Sequence, residues 1–153
     1  MKITEMLKQE FIIEALTSTT KKDTLWELSR VMFRNDPLYK PQEVVNVLLE
    51  REKLGSTGIG DGIAIPHGKL AMLDEMVVSF GRAREGIDFN AMDGKPVYLF
   101  FLLLAPENSA GLHLKVLAKI SRMLKDVHFR SELMQAGSLE EIYRTISDKD
   151  DSC

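Results

Sequence analysis

Apolar residues recur with helical spacing in several segments of the chain. One such segment predicts a helix that runs to Phe33, with Ser18 or Thr19 as its N-cap. Its apolar positions follow a period of about 3.6 residues: Leu25, Leu28, Val31 and Met32. The same spacing, with proline, glycine and capping signals at the ends, predicts helices over residues 3–7, 41–53, 110–125, 129–136 and 139–146.

Short apolar runs between these segments predict buried strands. They cover residues 11–16, 63–65, 76–82 and 97–105. The last run is closed by Pro106, and the turn signal Asp93-Gly94 precedes it. Because strands alternate with helices, the pattern indicates an α/β fold. We expect one domain over residues 1–147, followed by a charged, disordered tail over 148–153.

Composition and charge exclude several classes of protein. Of the 153 residues, 44% are hydrophobic and 28% are charged, as in ordinary globular domains. No apolar run approaches the about 20 residues of a membrane-spanning helix, and the N-terminal residues lack a signal-peptide core. The single cysteine, Cys153, cannot form an intrachain disulfide. With a net charge of −3 and no basic cluster, the sequence predicts a cytoplasmic protein that neither binds nucleic acid nor inserts into a membrane.

A glycine-rich run from Gly55 to Gly68 contains the most informative residue, His67. The predicted strand over 63–65 stops at Pro66, which has no N–H for a sheet ladder. His67 is therefore expected just past a strand end, with Gly68 leaving room beside its ring. A histidine held on one edge and open on the other suits a nucleophile.

Other chemistries of glycine-rich loops do not fit this run. The glycine spacing fails the dinucleotide fingerprint, and Gly68-Lys69-Leu70 fails the phosphate-binding P-loop. The histidines share no metal-ligand spacing and no serine nucleophile elbow is present, so we predict no cofactor and no metal. A neutral imidazole with one nitrogen bonded to a carbonyl keeps a lone pair on the other. A nucleophilic, phosphate-accepting histidine remains, with a structural loop-end histidine as the alternative.

A longer pattern surrounds this histidine. Glu52 is followed after six residues by Ile59-Gly60, and after two more by Ile63-Ala64-Ile65-Pro66-His67-Gly68. This pattern resembles the active-site signature of the type-2 IIA proteins of the bacterial phosphotransferase system (PTS), the fructose/mannitol class. Residues 55–70 most resemble the nitrogen-regulatory branch of that class. A looser match runs from Leu104-Ala-Pro-Glu107 to His113. The resemblance covers residues 3 to about 146 and implies a mixed β-sheet flanked by helices.

The resemblance also implies roles for particular residues. His67 matches the histidine that accepts a phosphoryl group on Nε2 from an HPr-like phosphocarrier (NPr in the nitrogen branch). His113 matches a second histidine that orients the first or donates to the phosphoryl oxygens, and Arg51 matches an arginine that offsets the phosphate charge. Taken alone, His113 also fits a helix cap and Arg51 a solvated helix face. Asp61 stands where relatives often have asparagine, and a carboxylate beside the acceptor would slightly oppose phosphate.

Three hypotheses for function follow. In the first, the protein is a nitrogen-regulatory phosphocarrier whose phosphorylation state controls targets such as sensor kinases or potassium-transport regulators. In the second, it is a sugar-transport IIA component that passes phosphate to a IIB partner. In the third, it is a binding module without phosphoryl transfer. The first two describe a phosphotransferase component rather than a conventional multi-turnover enzyme. Both predict that Arg51 and His113 lie within hydrogen-bonding reach of a phosphoryl group on His67.

Overall fold

The computed structural model describes residues 1–153 as a six-stranded mixed sheet with helices packed against it. The helices are α1 (Lys21–Arg30), α2 (Pro41–Glu52), α3 (Leu112–Leu124), α4 (Val127–Gln135) and α5 (Leu139–Ser152). The strands are β1 (Ile12–Ile13), β2 (Gly58–Gly60), β3 (Ile63–Ala64), β4 (His67–Leu70), β5 (Val77–Ile87) and β6 (Val97–Pro106). The α/β class and the single domain with a mixed sheet are confirmed.

Strand β6 lies at the centre of the sheet. It pairs antiparallel with β5 along one side, and parallel with β3 and then β4 along the other. β1 adds parallel to β5, and β2 adds antiparallel to β3. The side chains of Phe100, Phe101 and Leu102 in β6 are fully buried, as a strand covered on both faces requires. No helix is long and apolar enough to cross a membrane.

Helices α1 and α2 begin at residues whose side chain or ring suits a helix start. Thr20, rather than the predicted Ser18 or Thr19, caps α1 by accepting a hydrogen bond from the amide of Asp23. Ser18 does not cap because its hydroxyl donates to the Glu27 carboxylate at 2.7 Å. Pro41 occupies the first turn of α2, as predicted. The N-cap of α1 therefore lies one or two residues after the position that the sequence predicted.

The N-terminal segment contains less regular structure than predicted. The predicted helix over 3–7 is a 3₁₀ turn at Ile3–Glu5, and the predicted strand over 11–16 is reduced to β1. Beyond β1, the buried Arg82 guanidinium fastens the chain, because its Nε donates to the carbonyl of Glu14 at 3.1 Å. The Leu16 amide in turn donates to the Arg82 carbonyl at 2.8 Å. Side-chain bonding thus replaces part of the expected strand ladder.

The glycine-rich run forms a hairpin that the sequence reasoning missed. β2 and β3 pair with Gly60 opposite Ile63, which leaves Asp61 and Gly62 as a two-residue turn. Their φ angles are 57° and 76°, the positive values that a type I′ hairpin turn demands at both central positions. The predicted strand over 63–65 is present as β3.

His67 lies just past the end of β3, as predicted, but it also begins a further strand that the sequence did not predict. β4 pairs parallel with β6, with His67 opposite Leu103. Pro66 separates β3 from β4, but the chain continues alongside β6. The Pro66 carbonyl accepts a hydrogen bond from the Leu103 amide at 2.9 Å. A proline removes only a donor, so the ladder continues through its acceptor.

The C-terminal residues also differ from the predicted disordered tail. α5 continues to Ser152, and the side chain of Asp150 is fully buried. Its carboxylate accepts a hydrogen bond from Lys119 of α3 at 2.5 Å and another from the amide of Thr4 at 3.0 Å. The sequence of this charged segment does not reveal that Asp150 is buried, because its burial depends on a partner far away in the chain.

Candidate functional site

The three candidate residues line one open cavity of about 500 Å³. Arg51 comes from the last turn of α2, His67 from the start of β4 and His113 from the first turn of α3. α2 packs against β4 and α3 packs against β6, so the central strand brings both helix ends toward His67. The structure therefore brings together the residues that the sequence predicted as a group.

The two ring nitrogens of His67 have different partners. Nδ1 lies 3.0 Å from the carbonyl oxygen of Ile65, which can only accept a hydrogen bond. Nε2 lies 3.2 Å from Nε of Arg51, which can only donate one. A neutral ring therefore carries its proton on Nδ1 and its lone pair on Nε2. The lone pair faces the cavity.

A chain of hydrogen bonds holds the backbone that carries this carbonyl. The amide of Ile65 donates to the carbonyl of Thr57 at 3.1 Å, and Thr57 is in turn held by the buried Glu52. The Glu52 carboxylate accepts the Thr57 amide at 3.1 Å and the Thr57 hydroxyl at 2.5 Å. Lys21 of α1 neutralises it with a contact of 2.9 Å. This buried cluster fixes the position of the Ile65 carbonyl and hence the orientation of the His67 ring.

Burial is the main reason that the pKa of His67 lies below its ordinary value, because desolvation disfavours the charged ring. The hydrogen bond to Ile65 and the charge of Glu52 raise the pKa, whereas the charges of Arg51 and His113 lower it. The net effect is a lowered pKa, so the ring is neutral over a wider range of pH and keeps its lone pair.

Close packing between α2 and β4 places Arg51 beside His67. A Cβ atom built on Gly68 would lie 2.8 Å from Cγ1 of Val47 on α2, which is too close for any side chain. The sequence predicted that Gly68 leaves room beside the His67 ring, but Val47 fills the space next to Gly68. A second nitrogen of the Arg51 guanidinium is also held, because Nη1 donates to the carbonyl of Gly55 at 2.9 Å. Gly55 adopts a φ of +139°, which favours glycine.

His113 is held by a serine in the loop before α3. Its Nδ1 lies 2.8 Å from the hydroxyl oxygen of Ser109. The N-cap of α3 is Gly111, and no side chain caps this helix.

Lys69 was also missed as a site residue, although alternation along a strand places it on the same side of β4 as His67. It lines the cavity, as do the apolar side chains of Leu54 and Leu114, which are 84% and 61% exposed. Arg51 and Lys69 thus bring positive charge to the cavity, Glu50 adds one negative charge, and the two leucines add exposed apolar surface. No three His, Cys, Asp or Glu side chains converge where they could hold a metal ion.

The sequence predicted Asp61 beside the acceptor histidine, but Asp61 lies elsewhere. It sits at the β2–β3 turn, where its amide donates to Asp93 at 3.3 Å, and it lines a separate cavity with Tyr98 and Arg130. The charges that shift the pKa of His67 come from Arg51, Glu52 and His113. Asp61 serves as a turn residue with positive φ.

Comparisons with known proteins show which family the chain is similar to. The family model described as "Phosphoenolpyruvate-dependent sugar phosphotransferase system, EIIA 2" matches residues 5–149. A nitrogen regulatory protein of Bradyrhizobium diazoefficiens is 42% identical over 96% of this chain and 95% of its own length. The fructose-specific EIIABC component of Bacillus subtilis is 37% identical over 98% of this chain but only 24% of its own length.

A solved structure extends the comparison to the fold. The nitrogen regulatory protein IIA-Ntr of Neisseria meningitidis superposes with a TM-score of 0.87 and is 40% identical. The match covers 94% of this chain and 98% of that one. The chain therefore belongs to the type-2 EIIA family of the phosphoenolpyruvate-dependent phosphotransferase system.

Proposed function

We propose that this protein is a nitrogen-regulatory phosphocarrier, which accepts a phosphoryl group on Nε2 of His67 from an HPr-like phosphocarrier (NPr). The observation that carries the proposal is the asymmetric bonding of the His67 ring. Nδ1 is bonded to the Ile65 carbonyl at 3.0 Å, whereas Nε2 faces a cavity with its lone pair toward Arg51. This is the arrangement that a nitrogen nucleophile requires.

In the transfer, the Nε2 lone pair attacks the phosphorus of the donor's phosphohistidine. A P–N bond forms at His67 while the donor's P–N bond breaks, and that electron pair stays on the donor nitrogen. The Nδ1 proton remains on His67, bonded to the Ile65 carbonyl. Such a reaction needs in-line positioning and stabilisation of charge on the phosphoryl oxygens more than it needs covalent assistance.

Arg51 changes partners during this step. In the unphosphorylated protein its Nε–H occupies the Nε2 lone pair at 3.2 Å, and this contact must break before attack. The guanidinium then donates to the phosphoryl oxygens, whose charge makes these hydrogen bonds stronger than the bond to a neutral imidazole. His113 donates from the other wall of the cavity, and Lys69 adds positive charge at its mouth.

Phosphorylation changes what can dock over the cavity. The modification adds nearly two negative charges at pH 7. The rim beside His67 carries exposed Leu54 and Leu114, which suit an apolar partner surface. A target that covers this rim would bury the new charges, and burying unpaired charge is costly. The phosphorylation state thereby selects between targets, for which the family resemblance suggests sensor kinases or potassium-transport regulators.

Sugar transport is the second candidate function. It is favoured by the similarity to the fructose-specific EIIABC component of Bacillus subtilis, in which the matching segment is one part of a longer protein. In that role, the chain passes its phosphoryl group to a IIB domain. Similarity over nearly the full length of a protein named as a nitrogen regulator favours the regulatory role.

The experiment that tests the proposal follows the phosphoryl group after it reaches His67. The phosphorylated protein is isolated and mixed with a purified IIB domain of the fructose class, and ³¹P NMR records the phosphohistidine signal. A regulator retains an Nε2-phosphohistidine signal, and the unphosphorylated and phosphorylated forms capture a target sensor kinase with different affinities. Rapid loss of the signal to the IIB domain, with equal affinities for the kinase, contradicts the regulatory role. A His67→Ala variant serves as the unphosphorylated control.

A further inference from the structure

Ser109 makes an unusual contact for a serine that precedes a helix. Its hydroxyl oxygen lies 2.8 Å from Nδ1 of His113, in the first turn of α3. A serine at the N-cap commonly accepts a hydrogen bond from a helix amide. Here α3 has no side-chain cap, its N-cap residue being Gly111 with a φ of 82°. The Ser109 carbonyl, rather than its side chain, accepts the amide of Leu112 at 3.0 Å. The hydroxyl is therefore committed to the imidazole.

We propose that Ser109 is a positioning residue that holds His113 in the tautomer with its proton on Nε2. The Ser109 hydroxyl donates to Nδ1, and a neutral imidazole whose Nδ1 accepts carries its hydrogen on Nε2. This inference rests on the proposed phosphoryl transfer to His67. It assigns to Ser109 the job of presenting an N–H donor where the phosphoryl oxygens arrive.

The two histidines of the cavity then have opposite tautomers, each fixed by one oxygen. The Ile65 carbonyl accepts from Nδ1 of His67 and leaves Nε2 as a nucleophile. The Ser109 hydroxyl donates to Nδ1 of His113 and leaves Nε2–H as a donor. A carbonyl can only accept, whereas a hydroxyl can accept or donate, so a donating Ser109 hydroxyl gives the two chemically identical rings complementary roles. His113 donates only a hydrogen bond and gives up no proton in the transfer.

The tautomer is tested directly by long-range ¹H–¹⁵N correlation spectra of the histidine rings at neutral pH. For the wild type, the His113 signals should show Nε2 protonated and Nδ1 unprotonated. Ser109→Ala should yield a mixture of tautomers, and Ser109→Thr should restore the wild-type pattern because it keeps the hydroxyl. Asn108→Ala, an exposed neighbour in the same loop, is the matched control and should change nothing. A wild-type His113 protonated on Nδ1, or an unchanged tautomer in Ser109→Ala, overturns the proposal.

A kinetic cycle tests whether the tautomer matters for transfer. Ser109→Ala should lower the rate of phosphoryl acceptance by on the order of fivefold, the effect of one lost hydrogen bond, with the donor concentration at half-saturation unchanged. In a His113→Ala background the same substitution should have no further effect, since Ser109 acts only through His113. An equal loss in both backgrounds contradicts the positioning role. If the wild type accepts no phosphate at all, the proposed function fails, while the ring spectra still decide the tautomer.

Discussion

The chemistry of His67 depends on the difference between its two ring nitrogens. Nδ1 is bonded to the Ile65 carbonyl, and Nε2 accepts a hydrogen bond from Arg51. Burial lowers the pKa of the ring, and the Arg51 guanidinium lowers it further because it disfavours a second positive charge beside it. In the proposed transfer, the same arginine helps burial to keep the acceptor neutral before the step and then stabilises the phosphoryl group.

The first prediction concerns Arg51→Gln. Removing the guanidinium should raise the pKa of His67 toward its ordinary value and slow phosphoryl acceptance by about 10- to 100-fold. A ¹⁵N NMR titration and the rate of phosphorylation measure the two effects. Lys53→Gln is the matched control on the exposed end of α2, where Lys53 pairs with Glu50 at 2.7 Å. A His67 pKa unchanged in Arg51→Gln would contradict the assigned role.

A second prediction is the pH dependence of acceptance. Because the pKa of His67 is lowered in the folded protein, the neutral ring persists to pH values below the ordinary pKa of histidine. The rate should therefore stay high as the pH falls through about 6.5 and decline only at the lower, shifted pKa. The unfolded chain binds the proton at a higher pH, so lowering the pH through this window also favours unfolding. If the rate already falls at a pH equal to or above the ordinary pKa of histidine, this account is ruled out.

At the scale of elements, the site depends on how closely α2 approaches β4. Gly68 makes this approach possible, because any Cβ at that position would overlap Val47. The sequence predicted α2, the buried strand β6 and the proximity of the candidate residues, since long periodic segments and a specific signature carried that information. It missed β2 and β4, because strands of three and four residues owe their existence to pairing with neighbours rather than to an alternating pattern. The Asp61-Gly62 dipeptide was the available signal for the β2–β3 hairpin.

The third prediction tests this close approach. Gly68→Ala should lower the free energy of unfolding by about 1–3 kcal/mol, through the overlap with Val47, and should also weaken the contact between Arg51 and His67. Adding Val47→Ala should restore the His67 pKa, because it removes the atom that the new Cβ meets. Urea unfolding and the ¹⁵N titration report the two effects. A Gly68→Ala variant that is as stable as the wild type and has an unchanged His67 pKa would contradict the close approach of α2 to β4.

At the scale of the whole molecule, a buried ion pair ties the C-terminal helix to the element that carries His113. Lys119 of α3 contacts Asp150 of α5 at 2.5 Å, and both side chains are nearly inaccessible. Burial tends to raise the pKa of Asp150, but hydrogen bonds from Lys119 and from the Thr4 and Ile3 amides hold it below its ordinary value. The sequence could not reveal this pair, because its members lie 31 positions apart in segments with many other charges.

The fourth prediction follows from that pair. Asp150→Ala leaves the Lys119 charge buried without its carboxylate and should lower the free energy of unfolding by about 3–5 kcal/mol. Asp148→Ala, which removes an exposed carboxylate of the same helix, should change it by less than about 0.5 kcal/mol. Urea denaturation measures both. If the two variants are equally stable, residues 148–153 form the disordered tail that the sequence predicted.

The central claim is that His67 accepts a phosphoryl group. Its most direct test is the intact mass of the protein after incubation with phosphoenolpyruvate and the upstream phosphotransferase proteins, for the wild type and for His67→Ala. The account predicts the gain of one acid-labile phosphoryl group by the wild type and none by the variant. An unmodified wild type, in the presence of donors shown to phosphorylate another IIA protein, would contradict the account and leave the chain as a binding module.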